Sequence, residues 1–290
     1  MIAAKTLPGL RPAEADSAGK TLSVVRPPPP GKNGAPPDPA LSPPSPARQS
    51  QLRPASDAWV KLAEPLRGGS GIRVGALGVT GKGKTTALIQ FLQYLKDSGL
   101  ISLVLIHDIK LPTVQYPHDR IAYEATAVIS NPPTAYPCQV VLRRRELQHT
   151  PSVDLAARVT NHASYNGVRT MLVIDEFHRA LTPAGREFTA PAVGETLSEG
   201  RAIGASLLWT TQLPQRVPPT AYDQSQIILF GCGAKACAYL ISANVIDERT
   251  AAVVAALAVG QFIIVSEGEW DGIVYEVPPP SAAKPAEAAL

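Results

Sequence analysis

The chain has 290 residues but few cysteines, few aromatic side chains and no long apolar run. Its three cysteines, Cys138, Cys232 and Cys237, form neither a disulfide framework nor a four-ligand zinc pattern, so we expect reduced and mostly buried thiols. No uncharged apolar run reaches the roughly 18 to 20 residues that span a bilayer, and the N-terminus lacks an apolar signal region. We therefore expect a cytoplasmic protein without a membrane span. The patterns GxGxxG and HExxH are also missing, which disfavours two common classes of enzyme.

Proline and positive charge are concentrated at the N-terminal end. Residues 1–54 contain 13 of the 29 prolines and carry seven basic against three acidic side chains, which leaves 20 basic and 21 acidic side chains for the remainder. Such a stretch buries too little apolar surface to offset the entropy of ordering it. The composition predicts disordered tails over residues 1–57 and 278–290, around one folded domain at residues 58–277. Because the net charge of +3 belongs to the N-terminal tail, any DNA contact of the domain must be local, in a loop or a channel.

From Ile72 onward, short apolar runs alternate with stretches of helical spacing. This alternation predicts an α/β fold in which helices flank a mostly parallel sheet, with a β-hairpin near the C-terminal end. The predicted strands are 72–79, 100–109, 127–130, 139–142, 171–174, 207–211 and 227–230, with hairpin strands at 262–265 and 272–277. The predicted helices are 85–97, 153–165, 194–202, 235–244 and 247–257.

A glycine-rich segment, which we call the phosphate loop (residues 78–85), follows the first predicted strand and satisfies the pattern GxxxxGK[ST]. Its glycines allow successive amide groups to point at a phosphate, and the N-terminus of the following helix adds partial positive charge. In this pattern the Lys84 ammonium reaches the β- and γ-phosphates, and the Thr85 hydroxyl ligates Mg²⁺. Lys82 can touch phosphate as well, although a solvated loop lysine is the favoured alternative. The predicted ATP-binding residues are Gly78, Val79, Thr80, Gly81, Lys82, Gly83, Lys84, Thr85 and Thr86.

The predicted strand 171–174 is followed by two carboxylates, Asp175 and Glu176. Beside a phosphate loop, an acid at such a strand end completes the Mg²⁺ shell, usually through water, and we assign this role to Asp175. Glu176 is then placed to deprotonate a water that attacks the γ-phosphate. The alternative is that the acidic pair only caps the following helix. For His178 a structural hydrogen bond is favoured over a catalytic role.

Two further polar residues bracket the predicted strand 207–211. Gln212 ends it, and if this strand lies between the phosphate-loop strand and the acidic strand, Gln212 projects beside the γ-phosphate. An ordinary polar residue at a strand end is the alternative. Arg201, in the segment that leads into the strand, could stabilise transition-state charge on the nucleotide of a neighbouring subunit as an arginine finger. Taken alone, it is better explained as a solvated arginine at a helix C-terminus.

In combination, these segments resemble the FtsK/HerA-type P-loop ATPases, which include DNA translocases, conjugation coupling ATPases and viral genome-packaging ATPases. The family's GxTGxGKT and DxK forms match residues 78–85 and Asp108-Ile109-Lys110, and its acidic strand matches residues 172–176. Its ordered run of arginine, glycine, apolar strand and Thr-Gln-x-Pro matches residues 200–214. Arg201 lies 11 residues before Gln212, which is the separation of the family's trans-acting arginine from its glutamine. The likeness spans about residues 72–277.

The resemblance implies a RecA-like P-loop NTPase fold, with Lys84, Glu176, Gln212 and Arg201 as catalytic residues and Thr85 and Asp175 as Mg²⁺ ligands. It also implies a homo-oligomeric ring, a hexamer, that hydrolyses ATP to move double-stranded DNA held by its phosphates without base readout. By size and layout the chain is most similar to the small packaging ATPases of tailless, internal-membrane viruses. A conjugative DNA-transfer ATPase and a protein-secretion or virion-assembly motor remain alternatives, as does a nucleotide-gated switch with little turnover.

Two kinds of contact with partners follow from this interpretation. The N-terminal tail could dock onto a capsid vertex or a relaxosome component. The second contact is with DNA, and the candidate DNA-contacting residues are Arg120, Arg143, Arg144, Arg145 and Arg216. The run of three arginines at 143–145 equally suits a solvated strand edge that discourages strand pairing.

Overall fold

In the described part of the chain, a single sheet of 11 strands forms the centre of the structure, which is a computed structural model. The residues that the structure describes are 51–108, 116–123, 125–131, 133–142, 149–180 and 190–278. Some predicted features lie outside these ranges, and they are Ile109, Lys110, Arg143, Arg144, Arg145 and the tail segments 1–50 and 279–290.

The strands and helices alternate along much of the chain, as the sequence predicts. The strands are β1 (Gln51–Pro54), β2 (Arg73–Leu77), β3 (Leu103–His107), β4 (Arg120–Ala122), β5 (Cys138–Leu142), β6 (Thr170–Ile174), β7 (Ala205–Thr211), β8 (Gln226–Phe230), β9 (Gln261–Ser266), β10 (Glu269–Trp270) and β11 (Ile273–Glu276). The helices are α1 (Ala55–Arg67), α2 (Lys84–Asp97), α3 (Thr126–Ser130), α4 (His149–Tyr165), α5 (Phe177–Ala180), α6 (Pro191–Ser198), α7 (Gly200–Ile203), α8 (Pro219–Asp223), α9 (Ala234–Ser242) and α10 (Glu248–Ala256).

The strand order across the sheet is β1-β11-β9-β8-β2-β7-β6-β3-β5-β4, and β10 pairs with β9. All neighbours from β8 to β4 are parallel, whereas β9 runs antiparallel to β8, β10 and β11. The prediction of a mostly parallel sheet with a C-terminal hairpin is therefore confirmed. The parallel strands β2, β3, β6 and β7 are buried along their whole length, as expected for strands covered on both faces.

Helices cover both faces of the sheet. On one face, Val74 and Leu208 of the sheet pack with apolar residues of α1 and α2, such as Trp59 and Phe91. On the other face, the alternate positions of the same strands pack against α4, α6, α9 and α10. Because successive strand residues point to opposite faces, one strand serves both layers. Among the described residues, no helix is long and apolar enough to span a membrane.

Gly75 and Trp209 set the fit between β2 and β7. The two residues are register partners in the parallel pair, and a Cβ atom at Gly75 would overlap the six-membered ring of the Trp209 indole. The ring is fully buried, and its Nε1 donates a hydrogen bond of 3.1 Å to Ser225 Oγ. The glycine thus leaves the space that the indole fills, which aligns the strand before the phosphate loop with the strand before Gln212.

Three parts of the sequence prediction need correction. Residues 127–130, predicted as a strand, belong to helix α3, since a short apolar run does not by itself distinguish the two structures. Strands β1 and β4 and helix α1 were not predicted. Because β1 and α1 begin at Gln51 and Ala55, regular structure starts ahead of the boundary predicted at residue 58.

All three cysteines are free and buried, as expected.

Candidate nucleotide-binding site

The strand order brings the predicted site residues to one edge of the sheet. β7 lies between β2 and β6, and β3 is the next neighbour of β6. Since these four strands are parallel, their carboxyl ends meet at the same edge. The phosphate loop after β2, Gln212 after β7 and the acidic pair after β6 are therefore adjacent. The condition on which the interpretation of Gln212 depended is met.

The phosphate loop curls in front of helix α2. Gly81 and Gly83 have φ angles of 81° and 93°, in the left-handed region that only glycine adopts at little cost. Lys84 is the first residue of α2, and its Nζ donates hydrogen bonds to the carbonyls of Gly78 (2.6 Å) and Val79 (3.0 Å). The loop thus curls around a buried ammonium group at a helix N-terminus, an arrangement suited to bind the phosphates of a nucleotide.

Lys82 links the phosphate loop to the turn before β9. Its Nζ donates a hydrogen bond of 2.9 Å to the Leu257 carbonyl, and its own carbonyl accepts one of 3.1 Å from Gly260 N. Gly83 lies against the same turn, since a Cβ there would approach Gly260 Cα to 3.3 Å. The Lys82 side chain is therefore bound to protein rather than solvated in this structure, and its contact with phosphate remains a prediction.

Thr210 holds the acidic pair in place. Asp175, only 1% exposed, accepts a hydrogen bond of 2.8 Å from Thr210 Oγ1 at its Oδ1, and the same Oγ1 accepts one of 3.0 Å from Glu176 N. The Asp175 amide donates to the His107 carbonyl of β3 at 3.2 Å. One threonine on the middle strand thus fixes both acids. Sequence reasoning assigned no role to Thr210, although it stands two residues before Gln212.

Gln212 connects the acidic pair to the phosphate loop. Its Nε2 donates to Glu176 Oε1, and its Oε1 accepts from Thr80 Oγ1. Glu176 has a φ of 53°, a left-handed backbone that costs a non-glycine residue on the order of 1–3 kcal/mol and that tends to occur at functional sites. A continuous chain of hydrogen bonds therefore runs from the loop to the predicted general base.

His178 contacts the carboxylate oxygen of Glu176 that Gln212 does not. Its Nδ1 lies 3.0 Å from Thr211 Oγ1 and 3.3 Å from Glu176 Oε2. The ring thus touches both the strand end and the second carboxylate oxygen of Glu176. This contact fits the hydrogen-bonding role expected for His178, and it restrains the Glu176 carboxylate from one side while Gln212 restrains it from the other.

Tyr116 is a buried residue of the site that sequence reasoning missed. Burial raises the pKa of its hydroxyl well above the usual value, and nearby carboxylates raise it further. These carboxylates are, in order of effect, Asp175, Asp108 and Glu176. The hydroxyl therefore stays protonated beside a concentration of negative charge. The sequence around Tyr116 carries no pattern that points to this position.

The oxygen ligands at this edge fit Mg²⁺ in character. Asp175 supplies a carboxylate at the end of β6, and Thr85 supplies a hydroxyl in the first turn of α2. Mg²⁺ at nucleotide sites takes one or two protein ligands and completes its shell with phosphate and water. The described residues contain no cluster of three or more His, Cys, Asp or Glu that could hold a metal ion without such help. The donor set is thus suited to a cation that arrives with a nucleotide.

Arg201 lies at the opposite edge of the sheet. It is exposed on α7, whose C-cap residue Gly204 directly precedes β7. The seven residues of β7, at about 3.3 Å each, place the start of the strand about 23 Å from the edge that carries Gln212. This distance is beyond the reach of one side chain. Arg201 can therefore act on a nucleotide only if that nucleotide belongs to another protomer.

Two of the candidate DNA-contacting arginines are described by the structure. Arg120 donates hydrogen bonds to the carbonyls of Asn131 (2.6 Å) and Ala127 (3.3 Å), so its guanidinium binds the backbone around α3. Arg216 is exposed in a single helical turn that follows Gln212. Of this pair, Arg216 is the one whose surroundings leave it accessible to a partner.

A glycine-rich loop between a strand and a helix, beside an acidic strand end at the same edge of a parallel sheet, is typical of the P-loop NTPase fold. Solved structures agree. The genome-packaging NTPase of Sulfolobus turreted icosahedral virus 2 in complex with ATP-gammaS has a TM-score of 0.58 at 18% identity, over 71% of this chain and 97% of that chain. The DNA-packaging ATPase of Sulfolobus turreted icosahedral virus has a TM-score of 0.57 at 17% identity, over 71% and 97%.

A bacterial conjugative coupling protein, TrwB without its first 70 residues, has a TM-score of 0.50 at 12% identity, over 74% of this chain and 85% of that chain. No protein-family model and no curated protein sequence matches the chain. These solved structures confirm the RecA-like P-loop NTPase fold that the sequence predicts.

Proposed function

We propose that the protein is an ATP-hydrolysing motor that moves double-stranded DNA, and that it serves as a viral genome-packaging ATPase. The observation that carries this proposal is the hydrogen-bonded chain from Thr80 through Gln212 to Glu176. A nucleotide switch with little turnover has less need of a carboxylate so held beside its phosphate loop. The assignment of DNA as cargo draws on the solved structures that share the fold, which include a DNA-packaging ATPase and a conjugative coupling protein.

Each residue of the site has a defined task in this proposal. The loop amides and Lys84 bind the phosphates of ATP, while Thr85 and Asp175 hold Mg²⁺, which when bound offsets phosphate charge. Glu176 accepts the proton of the attacking water, and its position depends on Gln212 and His178. Because Gln212 also contacts Thr80, a movement of the phosphate loop is transmitted to Glu176 through the Gln212 side chain.

The proposal requires an assembly of several copies. The 23 Å span of β7, estimated at about 3.3 Å per residue, separates Arg201 from the nucleotide of its own chain, so hydrolysis needs an adjoining protomer. A closed homo-oligomeric ring, which we take to be a hexamer, provides such a neighbour for every site. DNA then passes through the ring and is held by its phosphates, with Arg216 as a candidate contact. The N-terminal tail would attach the ring to a capsid vertex, in the cytoplasm of the cell where assembly occurs.

The test replaces the base and leaves the binding residues intact. In Glu176→Gln the amide can still hydrogen-bond to Gln212, so ATP binding should be retained while kcat falls by about 10² to 10⁴, the range for loss of a general base. Glu195→Gln, at an exposed position of α6, is the matched control and should leave kcat unchanged. An unchanged kcat in Glu176→Gln contradicts the assigned base.

Cargo is tested separately with the assembled wild-type protein. Double-stranded DNA of any sequence should stimulate ATP hydrolysis, and the effect should weaken as salt rises, because phosphate contacts release counterions. A ring that hydrolyses ATP but ignores DNA refutes the DNA assignment and favours a protein-secretion or assembly motor. A protein that binds ATP with negligible turnover, with or without DNA, supports a switch instead.

A further inference from the structure

An arginine is buried inside the sheet at the edge opposite the phosphate loop. Arg73 is the first residue of β2 and is only 3% exposed. Its Nε donates a hydrogen bond of 3.3 Å to the Thr196 carbonyl of α6. Its Nη2 is also buried, and within the described part of the chain it has no hydrogen-bond partner. A buried cation with an unsatisfied donor is costly, so the fold keeps it at the expense of stability.

Arg201 adds a second positive charge beside it. Burial, and after it the charge of Arg201, lowers the pKa of Arg73 to about 10, so the Arg73 guanidinium is still charged at neutral pH. Gly71 N donates a hydrogen bond of 3.2 Å to the Arg201 carbonyl, which ties α7 to the segment that leads into β2. Over the residues that the structure describes, neither arginine forms an ion pair. Two like charges are therefore held near each other without a counterion among the described residues.

The two arginines line the same cavity. It has a volume of about 330 Å³, and Ser70 and Gly71 also form part of its wall. Two exposed acids, Asp223 and Glu267, line it as well, but neither lies within ion-pair distance of a guanidinium. Arg201 is exposed, whereas Arg73 is almost wholly buried. A small anion that entered the cavity would meet Arg201 first and would satisfy the charge of Arg73 behind it.

We propose that Arg73 and Arg201 form a phosphate-binding site, and that in the ring it takes the terminal phosphate of a nucleotide held by the neighbouring protomer. The second part rests on the proposed function. Phosphate is the anion of choice because its oxygens accept hydrogen bonds from more than one guanidinium at once. Arg201 contacts the phosphate from the exposed side of the cavity, and Arg73 contacts it from the buried side through Nη2.

The binding site is tested without relying on catalysis. In a Lys84→Ala background, which disables the phosphate loop, inorganic phosphate should raise Tm more than chloride at equal ionic strength. Adding Arg73→Met should remove that difference, because methionine occupies similar space without charge. Arg249→Met, at an exposed position of α10, is the matched control and should keep it. Equal phosphate stabilisation with and without Arg73 refutes the site.

The role in hydrolysis is tested in the assembled protein. Arg73→Met should lower kcat at least about tenfold with little change in KM, and Arg73→Lys, which keeps the charge but not the fork, should recover part of it. Tm without phosphate should stay equal or rise in Arg73→Met, because a buried unpaired charge is removed. A merely structural role for Arg73 predicts the opposite, a lower Tm that Arg73→Lys does not restore.

The outcomes separate this inference from the proposed function. If the wild-type protein hydrolyses no ATP, the proposed motor fails, and the phosphate-dependent Tm still decides whether the arginine site exists. If Arg73→Met loses phosphate stabilisation but keeps kcat, the site binds phosphate from another source and the link to a neighbour's nucleotide is refuted. If Arg73→Met loses the phosphate-dependent rise in Tm and also has a lower kcat, the whole proposal is supported.

Discussion

Replacing Gly75 with alanine should destabilise the protein through one identified overlap. The added Cβ would collide with the Trp209 ring, which is fully buried and cannot move without disturbing its bond to Ser225. Overpacking of this kind typically costs about 1–3 kcal/mol. A cost of about 2 kcal/mol lowers the ratio of folded to unfolded protein roughly 30-fold. Gly233→Ala is the control, since its φ of −77° and open surroundings accept a methyl group.

A smaller partner should relieve the collision. Trp209→Phe alone should cost about 1–3 kcal/mol, because it leaves a cavity and removes the hydrogen bond to Ser225. In the double variant Gly75→Ala/Trp209→Phe the methyl group occupies part of that cavity, so the combined cost should be smaller than the sum by about 1 kcal/mol or more.

The assay for this cycle is urea unfolding followed by far-UV circular dichroism, which does not depend on the fluorescence of the tryptophan that is replaced. The free energy of unfolding is compared among the wild type, the two single variants and the double variant. Additive costs within about 0.5 kcal/mol would mean that the two residues do not interact. That result, or a Gly75→Ala variant as stable as Gly233→Ala, refutes the packing that aligns β2 with β7.

Two further predictions concern titratable groups. Hydrogen bonds from Thr250 lower the pKa of Asp247, which is the N-cap of α10. The ionised Asp247 should therefore stabilise the protein above about pH 3.9, the pKa in the unfolded state, and this stabilisation should be lost as the pH falls through the lower folded pKa. Asp247→Asn should keep the cap, but acid unfolding of this variant should lose the pH dependence that Asp247 causes. Burial raises the pKa of the Cys232 thiol to about 12, so iodoacetamide at pH 8 should label Cys232 in urea but not in the native protein. Mass spectrometry of the digested chain measures this labelling, and rapid labelling of the native protein would contradict the burial of Cys232.

The sequence was sufficient for the phosphate loop and the acidic strand, because both are encoded by residue types at fixed local spacing. Gly81 and Gly83 adopt left-handed backbone as the loop pattern requires, and Asp175 and Glu176 directly follow a buried strand. The neighbour relation between β7, β2 and β6 could be stated only as a condition, because strand order depends on contacts between distant parts of the chain.

Other features have no local signal or a misleading one. The contact between Thr80 and Gln212 joins residues 132 positions apart, and Tyr116 reaches the acids from outside any recognisable pattern. Helix α1 was missed although Trp59, Leu62 and Leu66 follow a helical spacing, because prolines flank and interrupt it. Arg73 stands at the head of an apolar strand, where its burial becomes evident only once α6 packs over it.

The most direct test of the motor site is complementation between two inactive variants. Glu176→Gln protomers lack the base but offer Arg201, and Arg201→Ala protomers lack the arginine but keep the base. If each site is built from two protomers, an equal mixture should recover up to about one quarter of wild-type ATPase activity, since about one interface in four then pairs an intact base with an intact arginine. A mixture of Glu176→Gln with Lys84→Ala, whose defects share one side of the interface, should recover none. Failure of the first mixture to exceed the second, in rings that contain both variants, would contradict the account.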